Sequence, residues 1–417
     1  MRCLAPFAFI LAATLYASPA SAQNAVIRWN EIAANAIVTQ GGKPSTASGV
    51  WFAYAQIAVY DAINAIDHRF EPFYFRGDAP RGASGEAAAI AAAHRVLVHY
   101  FPAQVVVLDQ QFADSLIALT VSDSSKSDGV AIGEAAAAAL VAARTGDGLE
   151  ANVPYSPSPG LGFWQPTPPR FLPALTPWLG QMRPFTMTTA SQFLPKGPTR
   201  LDSRRWEHDY DQVRALGSAT STTRTPAQTE IGLFWTEHTG QQYGRAFRAL
   251  AAANDLDLSD SARMMAILWT GYADSVIGCF NAKYIYSFWR PVTAITAGGG
   301  NPHLTADPNW TALGTTPNHP EYPAAHGCVT GTVSSLIADF FHTTKVHFVV
   351  DSQVTHTVHT FEDTRDLFAE VFGARIYAGF HYSHSLVDGG VLGRRIARQL
   401  FDRHFRTRHR EDHEDER

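Results

Sequence analysis

SGVWFAYAQIAVYDAINAI, residues 48–66, is the stretch whose reading decides the fold class. Val50, Tyr54, Ile57, Ala58, Ala62 and Ala65 recur at helical steps, and Gln56, Asp61 and Asn64 fall between them where a strand would need strict alternation. Ala-rich helical patterns follow over 86–100, 103–118 and 129–143. Helical periodicity resumes at Pro226 and runs with interruptions to Trp289, then returns over Cys328–Phe341, Glu362–Ala378 and Leu386–Phe405. Only Val346–Val350 reads as a strand. The pattern predicts a mainly α protein, built of helical bundles with long loops and at most a minor β-hairpin.

Outward from these helices, Arg2, the apolar run Phe7–Tyr16 and Ala20-Ser21-Ala22 before Gln23 have the order of a secretory signal peptide, so residues 1–22 are read as one. A periplasmic or secreted location is expected. No later apolar run reaches the roughly 18–20 residues needed to span a bilayer. A helical region over 23–150 is followed by a Pro-rich loop or lid region over 151–225, a helical catalytic region over 226–405 and a charged tail over 406–417 expected to lack fixed structure. With 46% hydrophobic residues, 17% charged residues and a formal charge of −5, nucleic acid is excluded as a general partner, so any anion site must be built locally. Cys279 and Cys328 would remain after signal removal, and the sequence leaves open whether they pair or stay as buried thiols.

Three segments place cationic side chains in apolar surroundings. The first is KYIYSFWRP, Lys283–Pro291. A seven-residue step is about 700° of helix, so on a continuous helix Lys283 and Arg290 share one face, with Pro291 tending to end it. Tyr284, Ile285, Tyr286, Phe288 and Trp289 argue against a solvated stripe, and no Asp or Glu lies between Asp274 and Asp307. The counter-charge must therefore come from a distant carboxylate or a ligand. The second segment is NHPEYPAAHGCVTG, Asn318–Gly331, where a proline-punctuated loop enters an apolar helix. This puts His326 at a helix N-terminus, where the dipole and free N–H groups favour an anion. The third is ARIYAGFHYSHSLVDGG, Ala374–Gly390. A six-residue step is about 600°, so Arg375 and His381 converge only if the helix breaks, with Gly379 as the break. Ser385 or Asp388, at helical steps from His381, is expected to hold its imidazole in one tautomer.

Lys-x6-Arg-Pro, Pro-x-x-His and Arg-x5-His, in this order, resemble the three-part signature shared by vanadium-dependent haloperoxidases and type-2 phosphatidic acid phosphatases. The match covers Lys283 to about Asp388, roughly a quarter of the chain, and the phrase AVYDAINAI with the Ala-rich helices is similar to bacterial members. The resemblance implies a helical-bundle fold of that type and a vanadate cofactor whose site phosphate also fits. Lys283, Arg290 and Arg375 would grip the equatorial oxygens. His381 would be the axial vanadium ligand, or the nucleophile of a phosphatase, and His326 the acid/base on the opposite side. Ala325, Ser385 and Asp388 would support them.

The chain departs from the signature in three places. Pro323-Ala324-Ala325-His326 replaces Pro-Ser-Gly-His, removing a hydroxyl donor. About 1.5–3 kcal/mol of charge-assisted hydrogen bonding is at stake. Ala374 replaces the Ser before the family arginine, and Ser385 stands where phosphatases often carry Asp. The expected activity is vanadate-dependent oxidation of halide by hydrogen peroxide. A soluble acid phosphatase acting on phosphoesters through a phosphohistidine, and a non-catalytic oxyanion-binding protein, are the alternatives. A homodimer is left open. His356 and His359 form an H-x-x-H better read as structural than metallic, since no Cys lies near.

Overall fold

A computed structural model describes residues 24–408; the segment read as a signal peptide and residues 409–417 of the tail lie outside the described residues. The chain forms α1 (Ala25–Ala34), α2 (Ser48–Asp67), α3 (Gly85–Tyr100), α4 (Val105–Ile117) and α5 (Asp123–Arg144), then a long irregular stretch. It continues with α6 (Arg204–Gly217), α7 (Pro226–Phe234), α8 (Thr239–Ala253), α9 (Leu258–Tyr286) and α10 (Pro291–Thr296). After a second loop come α11 (Ala325–Phe340), the antiparallel hairpin β1 (Phe348–Ser352) and β2 (Thr357–Phe361), α12 (Thr364–Tyr377) and α13 (Ser383–Arg403). The mainly α expectation holds, and the strand expected at Val346–Val350 lies two residues later and is paired.

Helix starts are written locally. Ser84, Ser122, Ser203 and Asp257 each accept a hydrogen bond from the first turn of α3, α5, α6 and α9, and Thr225 closes a capping box with Gln228 ahead of Pro226. The core is organised by α9, buried almost continuously from Ser261 to Lys283, with α2, α11 and α13 against it. Phe52 of α2 stacks on Trp269 of α9 at 4.0 Å between centroids. Where helices touch backbone to backbone the sequence has glycine: a Cβ at Gly393 of α13 would stand 2.2 Å from the Cys328 carbonyl oxygen of α11.

Two expectations about organisation are corrected. The region 151–225, expected to be a Pro-rich loop or lid, contains α6, whose Trp206, Tyr210 and Val213 are buried at i, i+4 and i+7. The irregular part is pinned: Asp274 of α9 accepts from the Phe185 and Thr186 amides at 2.7 and 2.8 Å, and the Trp164 amide bonds the Ser287 carbonyl. The tail is also fixed at its start, since Arg406 pairs with Glu71 at 2.7 Å and Thr407 bridges to Phe70. Cys279 and Cys328 are free, buried thiols.

His359 is structural, as expected. Its Nδ1 lies 2.7 Å from Glu370 of α12, its Nε2 lies 3.1 Å from Glu230 of α7, and its ring stacks on Phe234. Burial opposes its charge, but Glu370 and Glu230 outweigh burial and raise its pKa above the usual value. A raised folded pKa means this stabilisation is complete below the unfolded histidine value of about 6.5 and is lost as pH climbs through the folded value. Thermal denaturation is therefore expected to show stability falling as pH rises from about 6.5 through the folded value, with a shallower slope in His359→Gln. An identical slope in the variant would assign the pH dependence elsewhere.

Candidate active site

Lys283 sits in the last turn of α9 and is fully buried, because the helix is apolar on every side there. Its ammonium donates to the Pro320 and Glu321 carbonyls, both at 2.8 Å, leaving one of three donors. The helix then ends: Ser287 is left-handed at φ 48°, and Arg290 is extended at the N-cap of α10 with Pro291 as its first residue. Lys283 and Arg290 therefore do not share one helical face, as the seven-residue spacing predicted. A chain reversal brings them together, and Pro291 starts a helix where it was expected to end one.

Arg290 is buried and densely bonded. Its Nε donates to the His319 carbonyl at 2.9 Å, Nη1 donates to the Phe380 carbonyl at 3.0 Å, and Nη2 lies 3.1 Å from Nδ1 of the His319 ring. Nη1 is also 3.2 Å from Nε2 of His381. Arg375, in the last turn of α12, makes a single hydrogen bond, from Nη1 to the Trp235 carbonyl at 2.6 Å, and its buried Nε has no partner. The helix break expected at Gly379 is present, with φ 77°, and it turns His381 back toward Arg375 and Arg290.

The tautomer of His381 follows from its neighbours. An arginine only donates, so Nε2 of His381 carries the lone pair and Nδ1 carries the proton, which it donates to Glu321 Oε1 at 2.7 Å. Neither Ser385 nor Asp388 does this. His381 precedes α13, so helical steps from it do not apply; Asp388 accepts from the Tyr322 hydroxyl at 2.7 Å, and Ser385 Oγ is buried without a partner. Glu321 went unread in the sequence although it lay inside the quoted loop. A lone carboxylate five residues before His326, among prolines and aromatics, was the available signal.

His326 is the second residue of α11, at the helix start as expected. Ala324 at the N-cap gives α11 no side-chain cap and packs against Ile376 and Leu386, while Ala325 and His326 face a cavity of about 620 Å³. That cavity is also lined by His319, Arg375 and His381. Nε2 of His326 is 3.4 Å from the Thr239 hydroxyl. Five of the expected site residues, Lys283, Arg290, His326, Arg375 and His381, thus gather around or directly beneath one cavity, and Glu321 and His319 join them.

Electrostatics point the same way. Burial, and then the Arg290 charge, push the Lys283 ammonium down to about 8 against the opposing pull of Cys279 and Glu321. Burial likewise lowers Arg290 and, with Arg290 beside it, Arg375. His326 and His381 are held well below the usual histidine range by burial and by these cations. Three desolvated cations face one carboxylate, so the site carries uncompensated positive charge that a tetrahedral oxyanion would offset. Among the described residues no group of three His, Cys, Asp or Glu is placed to hold a metal cation.

Glu321→Gln is expected to weaken phosphate binding by about 10–100-fold, because an amide does not hold the Nδ1–H tautomer uniquely. Isothermal calorimetry with phosphate and the ¹⁵N shifts of His381 check it; an unchanged tautomer and affinity would remove Glu321 from the site's function.

Comparisons with known proteins bear on this arrangement. A family model described as the VCPO second helical-bundle domain matches residues 263–410. Vanadium chloroperoxidase of Curvularia inaequalis is 26% identical over 200 residues, covering 40% of this chain and 32% of that protein, so the match spans about a third of the relative's length. The crystal structure of a bacterial vanadium-dependent iodoperoxidase superposes with TM-score 0.77 at 20% identity, covering 92% of this chain and 96% of that one. A holo-type bacterial vanadium-dependent chloroperoxidase gives TM-score 0.71 at 15% identity, over 88% and 93% of the two chains.

Proposed function

We propose that this chain is a member of the vanadium-dependent haloperoxidase superfamily, that its cavity binds vanadate and that the protein oxidises a halide with hydrogen peroxide. The observation that carries this reading is Arg375, a buried cation with one hydrogen bond and an orphaned Nε, at the wall of a cavity shared with His326 and His381. An oxyanion supplies what that guanidinium lacks, so the residues present fit vanadate.

In this reading Arg375, Arg290 and Lys283 would hold the oxyanion's oxygens and the uncapped N-terminus of α11 would add backbone donors. His381 would offer its Nε2 lone pair to the bound group, kept in that tautomer by Glu321. Bound vanadate supplies a Lewis-acidic centre that makes peroxide electrophilic toward halide. His326, kept neutral by burial and by the cations around it, would hold and return a proton at its ring nitrogen beside the bound group. Ala324 has no hydroxyl where the family signature carries a serine, so it takes no part in this set.

The Glu321–His381 pair also favours a second reading, an acid phosphatase in which His381 Nε2 attacks phosphorus, since a carboxylate-held imidazole is a competent nucleophile. We further propose export, on the strength of residues 1–22. Metal-free protein treated with orthovanadate is assayed for peroxide-dependent bromination, with p-nitrophenyl phosphate hydrolysis in parallel. Bromination that needs vanadate and is suppressed by phosphate supports the haloperoxidase; hydrolysis alone selects the phosphatase; anion binding without turnover selects a binding protein.

A further inference from the structure

Beside the Glu321–His381 pair lies a second carboxylate–imidazole pair that the proposed chemistry leaves unused. His384, in the first turn of α13, is 1% exposed, and its Nδ1 lies 2.6 Å from Oδ2 of Asp209 in α6, itself 3% exposed. A carboxylate only accepts, so Nδ1 of His384 carries the proton. The ring lies nearly parallel to Tyr382 and more loosely so to Tyr322, with centroids 5.8 and 5.7 Å away, and meets Phe288 edge-on at 5.9 Å. The neighbouring Ser383 hydroxyl donates to Gln212, so α6 docks on the start of α13 through two polar contacts.

Two features tie this pair to the oxyanion site. Nε2 of His384, Oε2 of Glu321 and the Ser385 hydroxyl are all buried with no hydrogen-bond partner among the described residues. Unpaired polar atoms in a dry interior are costly, so packing alone does not account for a histidine at this position. The second feature is charge. Burial pushes the Glu321 carboxyl up, and of the charges that oppose burial His384 acts most strongly, ahead of Lys283 and Arg290.

We propose that Asp209 and His384 are positioning residues, which hold the Glu321 carboxylate against His381 and so keep the His381 Nε2 lone pair turned toward the oxyanion. The proposal rests on the oxyanion-site reading, which the haloperoxidase and the phosphatase share. Oε1 of Glu321 is fixed by hydrogen bonds, accepting from His381 Nδ1 at 2.7 Å and from the Tyr382 amide at 3.2 Å. Oε2 has no such bond and is held by charge, of which His384 supplies the largest part. Asp209 in turn fixes the His384 ring. An amide in its place would no longer make Nδ1 of that ring the obligate donor.

The test uses the full-length protein labelled with ¹⁵N-histidine, and wild type is expected to show a single Nδ1–H tautomer for His381. Asp209→Asn keeps the shape of the side chain and removes its charge. Because removing one partner of a buried pair can unfold a chain, Asp209→Leu/His384→Phe is measured beside it, since it keeps aromatic packing and leaves neither partner of the pair alone. Both variants are expected to give mixed His381 tautomers and to bind phosphate about tenfold more weakly by calorimetry. In a Glu321→Gln background the same changes are expected to alter affinity by less than about twofold, because the carboxylate they act through is gone. A single tautomer with wild-type affinity in both variants would make the pair a packing feature and overturn the proposal. Equal losses with and without Glu321 overturn it as well. Failure of wild type to bind phosphate or vanadate overturns the oxyanion-site reading instead, and the tautomer spectra still decide what the pair does.

Discussion

Arg375→Met is expected to weaken phosphate and vanadate binding by two or more orders of magnitude while leaving the empty protein as stable as wild type or more so. Arg375 is 2% exposed and its guanidinium makes one hydrogen bond, to the Trp235 carbonyl, with Arg290 as its charged neighbour. An anion would accept from it through charge-assisted bonds of about 1.5–3 kcal/mol each, and two such bonds correspond to more than a hundredfold in affinity. In the empty protein the same charge is desolvated without a counter-ion, which is unfavourable, and hydrophobic replacement of buried charge is often neutral or stabilising by about 1–4 kcal/mol. Losing the bond to Trp235 offsets part of that gain. Calorimetric titration with phosphate and thermal denaturation of the anion-free protein separate the two effects. A variant that binds phosphate normally but melts early would make Arg375 a structural residue.

His326→Ala is expected to slow vanadate-dependent bromination by about 10²–10⁴-fold, the usual range for removing a general acid/base. Anion affinity should change far less, because the cations and His381 remain. Burial and the charges of Arg375, Lys283 and Arg290 hold His326 neutral, so it is available as a base in the empty site. An oxyanion would offset those charges and make protonation easier, which suits a group that must both take and return a proton. The ring borders an open cavity, so free imidazole added to His326→Ala should restore part of the rate. Loss of anion binding equal to the loss of rate, without imidazole rescue, would place His326 among the binding residues.

Much of this site was legible in the sequence because its chemistry is rare. Arg, Lys and His within runs of Tyr, Phe, Trp and Ile are improbable unless something compensates them, which marked out the three segments, and the resemblance of their combined spacing to the family signature singled out Lys283, Arg290, His326, Arg375 and His381 together. The helices were legible for a similar reason: periodicity, caps such as Ser84 and Asp257, and the break at Gly379 are local properties of the chain. Helix α6 was missed although Trp206, Tyr210 and Val213 carry its periodicity, because its charged outer face and Pro-rich surroundings masked it.

What the sequence by itself determined was the mainly helical class, the inventory of buried cations and their need of an anion, since these follow from residue type and short-range spacing. Only the tertiary structure decided how they meet. Lys283 and Arg290 converge through a reversal at Ser287 and not through a helical face, and Glu321, sixty residues from His381, displaced Ser385 and Asp388 as the partner of its imidazole. The size and apolar walls of the cavity were equally invisible, because they are made by α7, α9, α11 and the Gly379 turn together. Periodicity reports which way a side chain points from its own element. Which groups lie across the gap depends on where the other elements pack, and no spacing along one segment carries that information.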